Sequence, residues 1–239
     1  MISNKERTVA EIVANNIKTA DVFKRYGIDF CCGGGISIAE VCKKKNLSVI
    51  ELEEEILKVE NNISRSHDFN KWKLDFLVDY IINNHHNFVL ENIPLIIQYS
   101  SKVAKVHGEN HPETLKINQL FHEVAEELII HMEKEEKILF PYIKNKVKSL
   151  RENTILPTPH FGTAENPIKM MEEEHENAGD IFKEIAELSN NYTPPLMACS
   201  TYKVLYFKLK EFQDDLHQHI HLENNILFPK TINMEKEGN

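Results

Sequence analysis

The chain has 239 residues, 41% hydrophobic and 27% charged, with a formal charge of -9 at neutral pH. That size and balance describe a globular chain of one substantial domain, with room for a small companion. The excess of acid argues against nucleic acid as a partner, since phosphate binding needs clustered Lys and Arg.

No apolar run reaches the ~20 residues needed to cross a bilayer, so no membrane partner is expected. The start MISNKERTVAEIV carries charge too early for a signal peptide. Four cysteines without export features read as reduced thiols of a cytoplasmic protein. Only 8 glycines, four of them within Gly27–Gly35, leave few turns and point to an all-α fold.

Along the chain, three capping boxes come first: Thr8 with Glu11, Ser37 with Glu40, and Ser48 with Glu51. They predict short helices near 8–16, 37–45 and 48–62, and a further one near 19–26 ends at Gly27. Residues 1–62 thus read as a small helical domain containing the stretch DFCCGGG, with a linker over 63–69. Residues 70–239 carry four long apolar-periodic segments, near 70–103, 112–148, 167–190 and 196–230. Asn166-Pro167 and Pro194-Pro195 mark helix starts, Pro94 should bend or interrupt the first segment, and the longest connection, near 149–166, should be a surface loop. Four such helices with modest connections predict an up-down four-helix bundle.

One phrase occurs twice, HMEKEEKILFP from His131 and HIHLENNILFP from His219. Ile117, Phe121, Val124, Leu128, His131, Glu135, Ile138 and Tyr142 form one helical seam. Tyr202, Leu205, Leu209, Phe212, Leu216, His219, Glu223 and Ile226 form another. Each is apolar except for a histidine and a glutamate four apart, which lie on one face. The third segment places His175, and the first His86, in seams of the same kind; His85 fits its own seam less well.

A carboxylate in a bundle core costs several kcal/mol unless a cation compensates it, and no Lys or Arg shares these seams nearby. A lone core histidine is more often a hydrogen-bonded core residue than a ligand. Two repeated pairs and two further seam histidines favour metal. Four imidazoles and two bridging carboxylates, with one bridging oxygen from solvent, would make two five-coordinate metals, each with one open position. Such donors suit iron, and also manganese or zinc; a single tetrahedral zinc would leave ligands idle. The Leu-Phe-Pro tails read as packing and helix termination. His217 and His221 flank His219 and should point elsewhere.

HMEKEEKILFP, EEEHENAG and HLENNILFP, with DFCCGG at the front, resemble the iron–sulfur cluster repair di-iron proteins, whose bundle is hemerythrin-like. The resemblance covers nearly the whole chain. It implies two non-haem iron ions in an oxo-bridged di-iron centre held by His86, His131, Glu135, His175, His219 and Glu223, with the two glutamates bridging. It further implies repair of iron–sulfur clusters damaged by oxidative or nitrosative stress, damaged iron–sulfur proteins as partners, nitric oxide or oxygen species as ligands, and a homodimer. An oxygen- or nitric oxide-binding sensor and a nitric oxide or peroxide reductase are the alternatives; no dinucleotide or flavin motif marks an electron-donor site.

Cys31 and Cys32 lie between a helix end and a glycine-rich turn, where amides of the next helix would favour a reactive thiolate. The alternative is small buried residues. The resemblance implies redox chemistry, metal handling or partner contact for them. Cys42 and Cys199 read as packing residues.

Overall fold

A computed structural model describes residues 6–31, 33–60 and 68–237. Cys32, residues 61–62 at the end of the expected 48–62 helix, and residues 63–67 of the expected linker lie outside the described residues. By internal contacts the chain divides into two compact units, residues 1–77 with 220–239, and residues 78–219. No strand occurs among the described residues beyond one bridge pair, Thr8 with Ser37.

The first unit opens with α1 (Val9–Asn15), α2 (Ala20–Arg25), α3 (Ile38–Lys45) and α4 (Val49–Glu60). Thr8 and Ser37 form full capping boxes with Glu11 and Glu40, and the Ser48 hydroxyl accepts from the Glu51 amide at 3.4 Å. α2 stops as expected at Gly27, whose φ of 61° the missing Cβ makes inexpensive. Val9, Ile12, Val13, Val22, Phe23, Ile38, Leu52 and Ile56 are all buried. The same unit includes α5 (Leu74–Tyr80) up to Leu77, and the chain's end, with a π turn over Glu223–Leu227 and α11 (Phe228–Glu237). α1 packs on that π turn, and Lys230 donates to the carbonyl of Asn70.

The second unit holds the long helices. α6 (Asn87–His107) continues a π turn over Ile81–His86. α7 (Glu113–Lys134) runs through a second π turn, Glu135–Leu139, into α8 (Phe140–Glu152). α9 (Glu165–Leu188) and α10 (Ser200–Leu222) follow. Cross-helix pairs show antiparallel neighbours throughout: Ser100 with Asn118, Asn177 with Glu127, Phe182 with Phe212, and Lys208 with Asn92. The fold is therefore an all-α up-down four-helix bundle. Phe121, Phe182 and Phe212 meet in its core with ring centroids 5.5–6.4 Å apart.

Three expectations change. Pro94 does not interrupt α6, because the carbonyl it deprives of a partner belongs to Leu90, which is 48% exposed and can be hydrated. Pro194-Pro195 do not start a helix: Ala198 N–H donates to Pro195 O in a turn, and α10 begins at Ser200. The Leu-Phe-Pro tails do not terminate their helices. Leu139, Phe140, Leu227 and Phe228 are buried as expected, but the helix passes each proline. Pro141 and Pro229 lack the N–H of an ordinary turn. Just before each one the ladder widens, and Phe140 N–H and Phe228 N–H bond five residues back to Glu135 O and Glu223 O.

Candidate metal centre

The π turns decide which side chains face inward. Each adds a residue to the helix, so the seam after Glu135 continues through Leu139 and Ile143, at 1% and 0% exposure. The unshifted positions expected from the sequence lie further out: Ile138 is 38% exposed. The same widening lets His85 and His86, adjacent in sequence, both be buried.

Within the second unit, ligand atoms of His86, Glu135 and His219 all lie within 4.8 Å of one another, and so do those of His131, Glu135 and His175. Glu135 belongs to both groups. Its Oε2 lies 3.4 Å from Nε2 of His86 and 3.4 Å from Nε2 of His131. His131 and His175 face each other Nε2 to Nε2 at 3.0 Å. Donors that share a metal at about 2.0–2.2 Å stand roughly 3–3.5 Å apart, so the spacings and the nitrogen–oxygen chemistry both fit metal ions. Glu223, assigned by contacts to the other unit, follows His219 by one turn on the same run of helix and is wholly buried. It opens its π turn as Glu135 opens its own.

Carboxylates fix the rings from behind. His86 Nδ1 meets Glu136 Oε1 at 2.7 Å, and His131 Nδ1 meets Glu174 Oε2 at 2.8 Å. With Nδ1–H donated outward, each Nε2 presents its lone pair to the centre. Glu174 also accepts from Lys134. The hydrogen bond from His131, then that from Lys134, lowers its pKa from the ordinary 4.5 to about 2, against burial, which raises it. Because the folded-state value is depressed, its contribution to stability is complete above pH 4.5 and is lost as pH falls toward 2. A metal-free acid titration should lose this contribution, and Glu174→Gln should flatten that part of the curve.

The sequence reading did not find Glu136 or Glu174. They sit one residue from a ligand position, on helix faces that only the packing of neighbouring helices turns inward. The His85 Nδ1 meets Asp215 Oδ1 at 2.9 Å, and its ring stacks on that of His219 at 5.5 Å. His221, expected to point away, is wholly buried in the first unit. Its Nδ1 lies 3.3 Å from Phe30 O, and burial pushes its pKa down to about 4.

Cys31 is 6% exposed. Its thiol donates to Asp29 Oδ1 at 3.1 Å, and Asn225 Nδ2 donates to its carbonyl at 3.0 Å. Gly34 permits the tight loop, since a Cβ there would lie 2.5 Å from Phe30 O. Cys42 is buried, and burial raises its thiol pKa. Cys199 is exposed, which overturns the packing role expected for it.

Comparison with known proteins agrees with this chemistry. The Hemerythrin HHE cation binding domain model matches residues 77–231, and the ScdA_N model, described as a domain of unknown function, matches residues 5–60. A probable iron–sulfur cluster repair protein of Haemophilus influenzae is 33% identical, over 97% of this chain and 99% of its own length. The iron–sulfur cluster repair protein ScdA of Staphylococcus haemolyticus is 34% identical over 96% and 99%. The iron–sulfur cluster repair protein YtfE of Escherichia coli O81 is 34% identical over 95% and 97%.

Proposed function

The chain belongs to the iron–sulfur cluster repair family, whose larger part is a hemerythrin HHE domain, and on that premise we propose that it binds two irons and helps restore iron–sulfur clusters damaged by oxidative or nitrosative stress. The observation that carries the proposal is Glu135, one wholly buried carboxylate shared by two groups of buried histidines. In this reading His86 and His219 hold one ion, His131 and His175 the other, and Glu135 bridges them. Glu223 is the second bridge, supported by its matching place after a histidine, its burial and its π turn.

Bound irons would supply redox chemistry and a coordination site for nitric oxide or an oxygen species. The chain's own residues do the rest. Glu136 and Glu174 orient His86 and His131, and the apolar seams keep bulk water from the charged centre. The clients are damaged iron–sulfur proteins, met in the cytoplasm, and the working form is a homodimer. Residues 1–62 act as a small helical front domain with Cys31 and Cys32 as its reactive thiols, followed by a linker over 63–69 and the bundle of 70–239. No described helix is long and apolar enough to cross a membrane.

The test is reactivation of an iron–sulfur enzyme damaged by nitric oxide, with parent and Glu135→Ala compared at equal protein. The parent should restore activity and the variant should not; equal restoration by both would refute the reading. Glu174→Ala should keep the metal site but weaken iron binding by about 10–100-fold, the usual effect of losing a carboxylate behind a histidine ligand. Competition with a chelator measures it.

A further inference from the structure

At the other end of α6 from His86 stands a second group of reactive side chains. Cys199 Sγ lies 3.3 Å from Nε2 of His107. Cys199 is exposed and immediately precedes α10, its carbonyl accepting from the amide of Lys203 at 3.1 Å. The turn before it holds Leu196 and Met197 in solvent, at 99% and 95% exposure.

The imidazole packs against an aromatic ring. The Tyr202 ring meets His107 edge-on at 5.5 Å and His111 at 5.8 Å. The Tyr202 hydroxyl lies 3.1 Å from that of Tyr206 and donates to Glu113 Oε1 at 3.4 Å. His111 Nδ1 meets the same carboxylate oxygen at 3.0 Å. Burial keeps the Tyr202 hydroxyl protonated well beyond its ordinary range. A nucleophile within hydrogen-bond reach of a base is the arrangement that activates a thiol.

We propose that Cys199 and His107 form a reactive thiol site whose substrate is a low-molecular-weight disulfide. His107 Nε2 accepts the thiol proton as Cys199 Sγ attacks one sulfur of the disulfide. The new bond joins Cys199 Sγ to that sulfur, and the original sulfur–sulfur bond breaks. The departing thiolate takes the proton from His107 and leaves as a free thiol. Cys199 is oxidised to the mixed disulfide and the departing half is reduced, so atoms and electrons balance without a further reagent. Cys199 immediately precedes a 23-residue helix starting at Ser200, whose positive end favours negative charge near its first turn.

The site is separate from the histidine–glutamate groups. His86 and His107 lie 21 positions apart on continuous helix, about 30 Å at 1.5 Å per residue. The proposal therefore stands or falls independently of the metal reading.

The experiment treats the full-length protein with glutathione disulfide at neutral pH and follows each cysteine by peptide mass spectrometry. A synthetic peptide of residues 194–202 gives the rate of the same thiol without its imidazole. An open-chain cysteine is only a few per cent thiolate at neutral pH, and the gain from activation is partly offset by weaker intrinsic nucleophilicity, so Cys199 should react about tenfold faster than the peptide. It should also react before buried Cys42. His107→Gln, with unchanged helical content, should return the rate to that of the peptide, and Cys199→Ser should abolish the adduct. A parent rate no greater than the peptide's overturns the proposal, whatever the variant does. So does a His107→Gln chain that reacts as fast as the parent.

Discussion

Glu135→Ala is expected to remove both irons together, lowering affinity by roughly a hundredfold or more, beyond the 10–100-fold typical of a partner one step behind a ligand. Its carboxylate is common to the two histidine clusters of the second unit. On the proposed bridging role, removing it also removes the negative charge that would hold two cations close together. His175→Ala takes a ligand from one cluster only, so it should release one ion more readily than the other. Metal-to-protein ratios under graded chelator distinguish the cases. A stepwise loss in Glu135→Ala would show that the carboxylate serves a single ion. The metal-free variant should still fold, because a carboxylate buried without a compensating cation costs several kcal/mol and the substitution removes that cost.

Phe212→Ala should be the most destabilising change in the bundle away from the histidines. Phe212 is 1% exposed, stacks on Phe182 at 5.5 Å with 15° between planes, and meets Phe121 edge-on. Truncation leaves a cavity where three helices converge, costing about 3–5 kcal/mol. That is a large share of the roughly 5–15 kcal/mol that holds a typical domain folded. Denaturant unfolding of parent and variant in the metal-free state reads it directly; a loss below about 1 kcal/mol would mean that the helices close around the gap.

Much of this architecture is written in periodicity. The spacing of Ile117, Phe121, Val124, Leu128 and His131 names the buried face of α7 without any structure, and all five are buried. The repeated His-x-x-x-Glu phrase likewise locates Glu135 at the centre. Periodicity fails past the π turn at Glu135, because a count of 3.6 residues per turn cannot register the extra residue inserted there, though Ile226, past the turn at Glu223, is buried as expected. Ile138 was accordingly placed on the seam and is 38% exposed, while Leu139 continues the seam inward. Proline in each phrase was a usable signal, but it reads as helix termination unless the widened turn is considered. Glu174 and Glu136 were illegible for another reason: which flank of a histidine receives a carboxylate depends on the neighbouring helix. Cys199 lies in an apolar run that resembles a core segment, and only the turn after Pro195 shows that it faces solvent.

The most direct test is metal analysis of the full-length protein as purified from cells, set beside Glu135→Ala prepared identically. The bridging account predicts close to two irons per chain in the parent and almost none in the variant, with equal helical content. One zinc per chain, or a fully helical parent that carries no metal, would contradict it.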